Sequence, residues 1–413
     1  MDYKEVLRKE LLPAFGCTEP IALAYAAAKA KQVLGQNPEK IIANLSGNMI
    51  KNANSVKVPG TEGRQGIDIS LVAGALLGDA NKELEVLANI DKSRLAECDK
   101  LIEEGICEIN HVTGKANLYI DVILKSGEDF SEVVIENDHT NITLIKKNDQ
   151  ILEKSKIEKV EENKVDFSFD KIYDFARDCD YSDIKDILDM QIEYNMAIAE
   201  EGIENDWGSN IGSIILKNAN GDEKEEIAAY ASAGSDARMS GCEKPVVINS
   251  GSGNQGITVA VPIIYYAKRH NIEDEKLYRA LIFANLIGLY NKQGIGKLSA
   301  YCGVVSAGSS SISGIAMLKG HDREVIKETL SNALAVNSGI ICDGAKPSCA
   351  MKIASSIRNG FLAMEQAESN NSFKAGDGIV KSDIDETIKT VAAIAKEGMK
   401  KTDEIILREM LNN

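Results

Sequence analysis

Alternation of apolar and polar positions separates one β-rich segment from a chain whose pattern is otherwise helical. Between about Asp79 and Ser155, apolar residues recur at every second position in short runs bounded by polar turns, which is typical of strands. These runs are Cys107 to Val112, Asn117 to Leu124, Ser131 to Glu136 and Asn141 to Lys147. We therefore predict a small antiparallel sheet, preceded by one helix from Ser93 to Glu104.

Apolar residues at helical spacing predict helices on both sides of that segment. The second of these helices begins just after Cys17, with Thr18 as its cap, and ends at Gly35. In the helix from Gln65 to Leu77, Gly66 and Gly74 indicate close helix packing. The other predicted helices are Lys4 to Leu12, Ser182 to Glu201, Glu225 to Met239, Gly256 to Arg269, Glu275 to Tyr290, Arg323 to Asn337 and Ser382 to Met399.

These elements predict an α+β fold, a mostly α-helical body with an embedded small antiparallel β-sheet subdomain. Residues 1–78 and 165–413 form the helical body that carries the candidate chemistry, and residues 79–164 form the subdomain. The charged stretch from Glu153 to Lys164 is the predicted linker, and Ile41 to Leu45 is a predicted short strand.

Charge and composition narrow the classes of function. The 413 residues are 44% hydrophobic and carry a formal net charge of −16, which disfavours nucleic acid and membrane surfaces as partners. No apolar run is long enough to span a membrane, and the N-terminus lacks a signal core. We expect a cytoplasmic protein, whose eight cysteines are more often metal-binding or catalytic than disulfide-bonded.

Three cysteines near the C-terminal end form the leading candidate site: Cys302, Cys342 and Cys349. Asp343, Gly344 and Pro347 place most of the last interval in a loop, which can wrap a cluster. Three thiolates leave one iron of a four-iron cluster without a protein ligand, so that iron can act as a Lewis acid. From the residues alone, a structural zinc site and inert buried cysteines remain alternatives.

Cys17, in Gly16-Cys17-Thr18-Glu19-Pro20, has a different predicted role. A thiol just before a helix N-terminus is stabilised as a thiolate by the helix dipole and unpaired N–H groups. Cys17 is thus a candidate base or nucleophile, and an ordinary buried cysteine is the alternative.

Four polar turns are weaker candidates, and structural roles explain each of them equally well or better. The turn from Ser250 to Gly256 suits an anion or braces a neighbouring loop. Ser46-Gly47-Asn48 with Lys51-Asn52 suits an amino-acid carboxylate. His139 lies between two predicted strands, and Asp236 with Arg238 predicts an ion pair that supports the fold.

Taken in order along the chain, these motifs resemble the iron–sulfur-dependent serine dehydratase α-subunit superfamily, and within it the single-chain L-cysteine desulfidases. The residues that carry the resemblance are Gly16 to Pro20, Ser46 to Asn48, Lys51-Asn52, Val58 to Thr61, His139 to Ile142, Asp236 to Met239, Gly251 to Gly256, Tyr301 to Gly303 and Cys342 to Lys346.

The resemblance implies a [4Fe–4S] cluster held by Cys302, Cys342 and Cys349, and Cys17 as the catalytic base. It implies a lyase that converts L-cysteine to hydrogen sulfide, ammonia and pyruvate. The expected substrate-binding residues are Ser46, Asn48, Lys51, Asn52, His139, Thr140, Asn141, Ser252 and Asn254.

Two alternatives stay open at this point. An L-serine dehydratase would use the same ligands and base with hydroxide as the leaving group. A non-enzymatic iron–sulfur or zinc sensor would need the cysteine loops but would not need the Cys17 turn. The expected partners are a small amino acid and, as a working expectation, a second copy of the chain in a homodimer. Cys98, Cys107, Cys179 and Cys242 are expected to be structural.

Overall fold

The computed structural model describes residues 2–155 and 165–411, and their fold is α+β as predicted. The N-terminal part of the described chain runs through α1 (Tyr3–Glu10), β1 (Pro13–Ala14), α2 (Thr18–Leu34), β2 (Lys40–Ser46), α3 (Gly47–Ala53), α4 (Ile67–Leu77), α5 (Leu95–Glu103), β3 (Cys107–Val112), β4 (Tyr119–Ser126), β5 (Asp129–Glu136), β6 (Ile142–Lys147) and β7 (Gln150–Lys154).

The rest of the described chain is helical apart from one two-residue strand. It runs through α6 (Phe169–Asp178), α7 (Lys185–Glu204), α8 (Ile211–Asn218), α9 (Glu223–Met239), β8 (Val246–Val247), α10 (Gly253–Arg269), α11 (Asp274–Gln293), α12 (Gly303–Leu318), α13 (Arg323–Asn337), α14 (Cys349–Glu368), α15 (Ile384–Ala393) and α16 (Lys400–Leu411).

The main sheet is mixed rather than purely antiparallel. Its strand order is β3-β2-β4-β5-β6-β7, and β2 pairs in parallel with β3 while the other neighbours are antiparallel. The parallel pair arises because three helices, α3 to α5, connect β2 to β3 and return the chain to the same end of the sheet. Strand β2, predicted as a separate short strand, is therefore an interior strand of this sheet.

Most predicted elements are present, with three corrections. The predicted linker begins inside strand β7, and its residues 156–164 lie outside the described part of the chain. The predicted helix from Ser382 to Met399 ends at Ala393, where a π-helical turn (Ile394–Gly398) leads into α16. Cys17, not Thr18, is the N-cap residue of α2, and Gly35 ends this helix in a left-handed conformation as expected.

Helix α12 was not predicted because it has no polar face. Helix α14 was also not predicted, although it has an exposed side that includes Met351, Arg358 and Leu362. Almost the whole of α12 is buried, and its Ser and Gly residues let α10, α11, α13 and α14 approach closely. A helix buried on all sides lacks the amphipathic spacing by which surface helices are recognised. Helices α10 and α12 thus form the centre of the helical body.

A two-stranded ribbon places the N-terminal turn against the centre of the body. Pro13 pairs with Val247 and Ala14 with Val246 in antiparallel register. Cys17 follows β1 by three residues, and the Ser250–Gly253 turn follows β8 at a similar distance. The ribbon therefore brings these two turns, distant in sequence, to one place.

The two glycines in the predicted helix from Gln65 to Leu77 have different roles. A Cβ on Gly74 would lie 2.3 Å from the carbonyl oxygen of Ala24, so Gly74 allows α4 to pack on α2 as predicted. Gly66 has open space around it and a φ of 103°. It supplies a left-handed backbone conformation at the N-cap of α4, and the packing role predicted for it was wrong.

Replacing Gly74 with alanine should lower the free energy of unfolding by about 1–3 kcal/mol, because backbone atoms of α2 must move to admit the methyl group. Urea unfolding followed by circular dichroism measures the change. Gly339→Ala is the matched control, since a Cβ there meets no atom within 4 Å. Equal stability of the two variants would show that α2 and α4 are not in close contact at Gly74.

Candidate active site

Three of the four predicted functional cysteines lie at helix N-termini. Cys17 and Cys302 are the N-cap residues of α2 and α12, and Cys349 is the first residue of α14. The first turn of a helix has free N–H groups and the positive end of the helix dipole, an environment that stabilises sulfur ligands. Cys342 lies in the loop before α14, as predicted.

Backbone pairing holds Cys302 and Cys342 side by side. The N–H of Cys302 donates to the Ile340 carbonyl at 3.1 Å, and the N–H of Cys342 donates to the Ala300 carbonyl at 2.7 Å. Gly344 then turns the loop with a φ of 96°. A Cβ on Gly344 would lie 2.6 Å from the carbonyl oxygen of Lys51, so this position brings the loop against α3.

The three C-terminal thiols influence one another electrostatically. The hydrogen bond from Cys302 lowers the pKa of Cys342 to about 6, and the nearby Lys51 ammonium acts in the same direction. The pKa of Cys302 is raised by the same interaction and by burial. Burial also raises the pKa of Cys349, and the charge of Cys342 adds to this effect. The contact between Cys302 and Cys342 therefore favours the thiolate of Cys342 over that of Cys302.

Three lysines surround this group of thiols. Lys51 reaches the Cys342 carbonyl at 3.4 Å. Lys292, at the end of α11, is only 3% exposed, and burial lowers its pKa to about 8 although Cys342 and Cys302 oppose the shift. Lys352 forms an ion pair with Asp343. Two of these lysines are already paired with carboxylates, Lys51 with Asp403 and Lys352 with Asp343.

The three thiols influence one another, but they do not form a ready-made site for one metal ion in the part of the chain that the structure describes. In residues 2–155 and 165–411, no three His, Cys, Asp or Glu side chains converge so as to hold one ion. A structural zinc site needs such convergence, usually of four ligands. A four-iron cluster binds each thiolate at a separate iron, so its ligands need to face a common space but not a common point.

Glu19 is the centre of a second buried group. Its carboxylate is only 8% exposed and accepts a hydrogen bond from Cys17 Sγ at 3.2 Å. Asn52 Nδ2 donates to its other oxygen at 3.0 Å, and His139 Nε2 lies 4.0 Å from that oxygen. The Thr18 hydroxyl lies 3.1 Å from both Glu19 Oε2 and the Gly251 carbonyl. Four separate segments thus meet around one carboxylate.

The protonation states in this group differ from the sequence-based expectation. Burial and the neighbouring Glu19 raise the pKa of Cys17 well above its ordinary value, although Arg238 opposes them. The expectation that the helix dipole favours the thiolate was therefore wrong for the ligand-free site. Burial raises the pKa of Glu19, but His139, the Cys17 thiol and Arg238 outweigh it and the net direction is downward.

The two groups adjoin each other. Cys17 and Cys349 belong to one small buried cluster with Val56 and Met239. Lys346, in the same loop as Cys342, donates to the Asn54 carbonyl at 2.6 Å and holds this loop against the end of α3. The candidate base and the candidate metal ligands therefore occupy neighbouring positions.

Among the predicted substrate-binding residues, those on α3 divide between two environments. Asn52 faces Glu19, whereas Asn48 and Lys51 bind the carboxylate of Asp403 in α16 at 2.7 and 2.5 Å. The Ser46 hydroxyl donates to the Asn117 carbonyl at 2.7 Å. A cavity of about 620 Å³ lies between α3, the segment after β3 and α16, and Ser46, Asn48 and Lys51 line it.

Side-chain hydrogen bonds hold the turn from Ser250 to Gly256 in place. Ser252 caps α10 by accepting a hydrogen bond from the Gln255 N–H, and the side-chain oxygen Oδ1 of Asn254 accepts one from Arg238. Arg238 also binds the Gly16 carbonyl at 2.8 Å and so connects this turn to the Cys17 turn. The ion pair predicted between Asp236 and Arg238 was wrong, because Asp236 instead accepts the Gly212 N–H in the interior.

Two predicted residues lie away from these groups. Thr140 and Asn141 belong to the turn between β5 and β6, and Asn141 is exposed with its amide donating to the Glu136 carbonyl at 2.8 Å. Of this motif, only His139 reaches Glu19.

The structure adds residues that the sequence did not single out. Glu19 was interpreted only as a favourable charge at a helix start, although its position two residues after Cys17 was a usable signal. Lys292 and Asp403 lie in ordinary helical patterns, and only the fold brings them to the cysteines and to Lys51.

Comparison with known sequences places the chain in a family. The sequence model described as "Serine dehydratase alpha chain" matches residues 81–408. The chain belongs to the serine dehydratase alpha chain family. Membership implies a serine dehydratase-like lyase that acts on an amino acid.

Relatives extend the similarity over the first 80 residues, which include Cys17. The chain is 46% identical over 411 residues to a UPF0597 protein of Lachnoclostridium phytofermentans, with 99% of each chain covered. It is 44% identical to UPF0597 protein DSY1109 of Desulfitobacterium hafniense, with 99% of this chain and 96% of the relative covered.

The helices were also compared with the length and hydropathy that a membrane span requires. No helix within residues 2–155 and 165–411 is both long and apolar enough to cross a bilayer.

The Cys17–Glu19 contact predicts a change in thiol reactivity. Glu19→Gln removes a negative charge beside the thiol, so the pKa of Cys17 should fall and its alkylation by iodoacetamide at a fixed pH should become several-fold faster. Peptide mass spectrometry measures the rate at Cys17, and Cys179 in the same sample is the internal control. An unchanged or slower rate at Cys17 would contradict the charge effect.

Proposed function

We propose that this protein is a [4Fe–4S]-dependent L-cysteine desulfidase. In this reaction L-cysteine loses its Cα proton and its β-sulfur, and the resulting aminoacrylate hydrolyses to pyruvate and ammonia. The observation that carries the proposal is the position of the Cys17–Glu19 pair beside the three electrostatically linked cysteines. A base and a site for a Lewis acid are the two groups that β-elimination needs.

Cys302, Cys342 and Cys349 would hold the cluster. Once bound, its iron without a protein ligand supplies Lewis-acid assistance at the substrate. The residues present fit this role, because the pKa of Cys342 is already lowered and the buried Lys292 lies near Cys342 and Cys302.

Cys17 Sγ is the proposed acceptor of the Cα proton. In the ligand-free site its proton is retained, because burial and the Glu19 charge disfavour the thiolate. The ammonium group of an amino acid placed against Glu19 would offset that charge and lower the pKa of Cys17. The thiolate would then form when substrate is present.

Asn48 and Lys51 are the proposed partners of the substrate carboxylate. An amide N–H and an ammonium group presented together suit a carboxylate. Lys51 also touches the Cys342 carbonyl, so a carboxylate bound there would lie next to the cysteine loop.

L-Serine is the second candidate substrate, and the description of the family favours it. Elimination of hydroxide would use the same base and ligands. L-Cysteine is preferred here because the chain resembles the single-chain desulfidases in the arrangement of its motifs.

Protein purified without oxygen and reconstituted with iron and sulfide should release pyruvate from L-cysteine together with an equal amount of sulfide. The value of kcat/KM for L-cysteine should exceed that for L-serine. A preference for L-serine would support the lyase assignment and identify L-serine as the substrate. No pyruvate from either amino acid, with the cluster verified by its absorption, would reject the proposal.

Substitutions should separate the base from the ligands. Cys17→Ser should retain the visible absorption of the cluster and lose pyruvate release by about 100-fold or more, as expected for a general base. Cys342→Ser should lose both the cluster absorption and pyruvate release. Cys179 is a half-buried cysteine at the end of α6, and Cys179→Ser should retain both properties. Full activity of Cys17→Ser would exclude Cys17 as the base.

A further inference from the structure

The C-terminal helix α16 inserts a carboxylate into the pair of groups proposed to bind substrate. Asp403 Oδ2 accepts a hydrogen bond from Asn48 Nδ2 at 2.7 Å, and Asp403 Oδ1 pairs with Lys51 Nζ at 2.5 Å. The Lys51 side chain is 1% exposed and that of Asp403 is 17% exposed. A partly buried carboxylate with one amide and one ammonium partner is the arrangement that an amino-acid carboxylate would adopt.

Asp403 differs from the other charged residues that pair along α16. Lys401 pairs with Glu404 and Arg408 with Glu409, both within the helix and near solvent. Asp403 alone among these charges reaches across to α3 within the described residues. Surface pairs such as the other two contribute little, so the contact through Asp403 is the specific polar attachment of this helix.

The attachment of α16 is otherwise small. Its main packing partner is α3, and Leu407 supplies the apolar contact above Gly47, where a Cβ would lie 2.3 Å from Leu407 Cδ2. A π-helical turn precedes the helix at Ile394–Gly398, a feature that recurs at functional sites in helices. A helix with few buried contacts is a low-stability element that can separate locally from the body.

The cavity of about 620 Å³ lies directly beside this contact, with Asp403 and Leu407 on one wall and Asn48 and Lys51 on the other. The volume is sufficient for an amino acid, because ligand cavities begin at about 300 Å³. Lys51 connects this cavity to the cysteine loop through the Cys342 carbonyl.

We propose that Asp403 is an internal competitor for the substrate carboxylate, and that an amino acid binds by displacing Asp403 and releasing α16 from Asn48 and Lys51. This inference rests on the proposed role of Asn48 and Lys51 in binding substrate. In this view α16 is a part of the chain that occupies its own substrate site. It thereby weakens the apparent affinity of the site for an amino acid.

The exchange is electrostatically balanced. Removing Asp403 alone would leave the Lys51 ammonium buried and unpaired, which is costly. An incoming carboxylate replaces the same charge, so the main opposing factor is the high effective concentration of a tethered competitor. The apparent dissociation constant of a ligand equals its intrinsic value divided by the fraction of molecules in the open form, so a largely closed α16 weakens apparent binding.

The test compares Asp403→Asn with Glu409→Gln, a control that makes the same change of charge at an exposed position of α16. L-Alanine is the probe, since it has the α-carboxylate and no leaving group. Calorimetric titration of anaerobically reconstituted protein should show L-alanine binding about five-fold or more tighter to Asp403→Asn, within the usual range of coupling between sites. Glu409→Gln should match the wild type.

Hydrogen exchange gives a second measurement that does not depend on activity. L-Alanine should accelerate exchange of the α16 amides in the wild type, and in Asp403→Asn these amides should exchange rapidly without ligand. Leu407→Ala, which weakens the same docking without touching the carboxylate partners, should tighten L-alanine binding in the same direction.

Weaker, unchanged or absent L-alanine binding in Asp403→Asn would overturn the inference, as would α16 exchange that L-alanine does not alter. Failure of the proposed function has a different signature. Release of α16 by L-alanine without turnover of L-cysteine or L-serine would reject the lyase assignment and keep the displacement. Turnover of L-cysteine or L-serine with unchanged hydrogen exchange in α16 would keep the lyase assignment and reject the displacement.

Discussion

The candidate site depends on the hydrogen bonds that stabilise the buried carboxylate of Glu19. An ionised carboxylate inside a protein is costly unless hydrogen bonds and nearby positive charge compensate it. Here Cys17 at the start of α2 and Asn52 on α3 supply hydrogen bonds, and His139, between β5 and β6, lies 4.0 Å from one carboxylate oxygen. Satisfying one carboxylate therefore fixes the relative positions of the sheet, the N-terminal turn and α3.

Close backbone approaches make this convergence possible. A Cβ on Gly16 would lie 1.9 Å from Pro59 Cγ, so the Cys17 turn and the Val58-Pro59-Gly60-Thr61 turn are in direct contact. Gly344 has the same function where the cysteine loop meets Lys51. These glycines and the proline act as packing elements, which gives a physical reason for motifs that carry no chemistry of their own.

How much of the structure could be predicted from the sequence depends on whether the signal is local or comes from contacts between distant segments. Strands with one buried face and helices with a polar face were recognised, and α13 was predicted with both ends correct. Helix α12 was missed because burial on all sides removes its periodicity. The parallel pairing of β2 with β3 was missed because it depends on the intervening helices. Asp403 was missed as a site residue because its partners, Asn48 and Lys51, lie far away in sequence. Glu19 was missed although Cys17, one of its partners, is only two residues away.

Lys51 contacts both the cysteine loop and helix α16. Its ammonium group lowers the pKa of Cys342 and at the same time binds a carboxylate from α16. Any carboxylate that replaces Asp403 must therefore provide one negative charge at the same distance, or the balance at the cysteine loop changes. In the proposed function, the α-carboxylate of an amino acid would supply this charge at Lys51. Under that proposal, the charge of Lys51 favours the carboxylate end of an amino acid before any contact with its side chain.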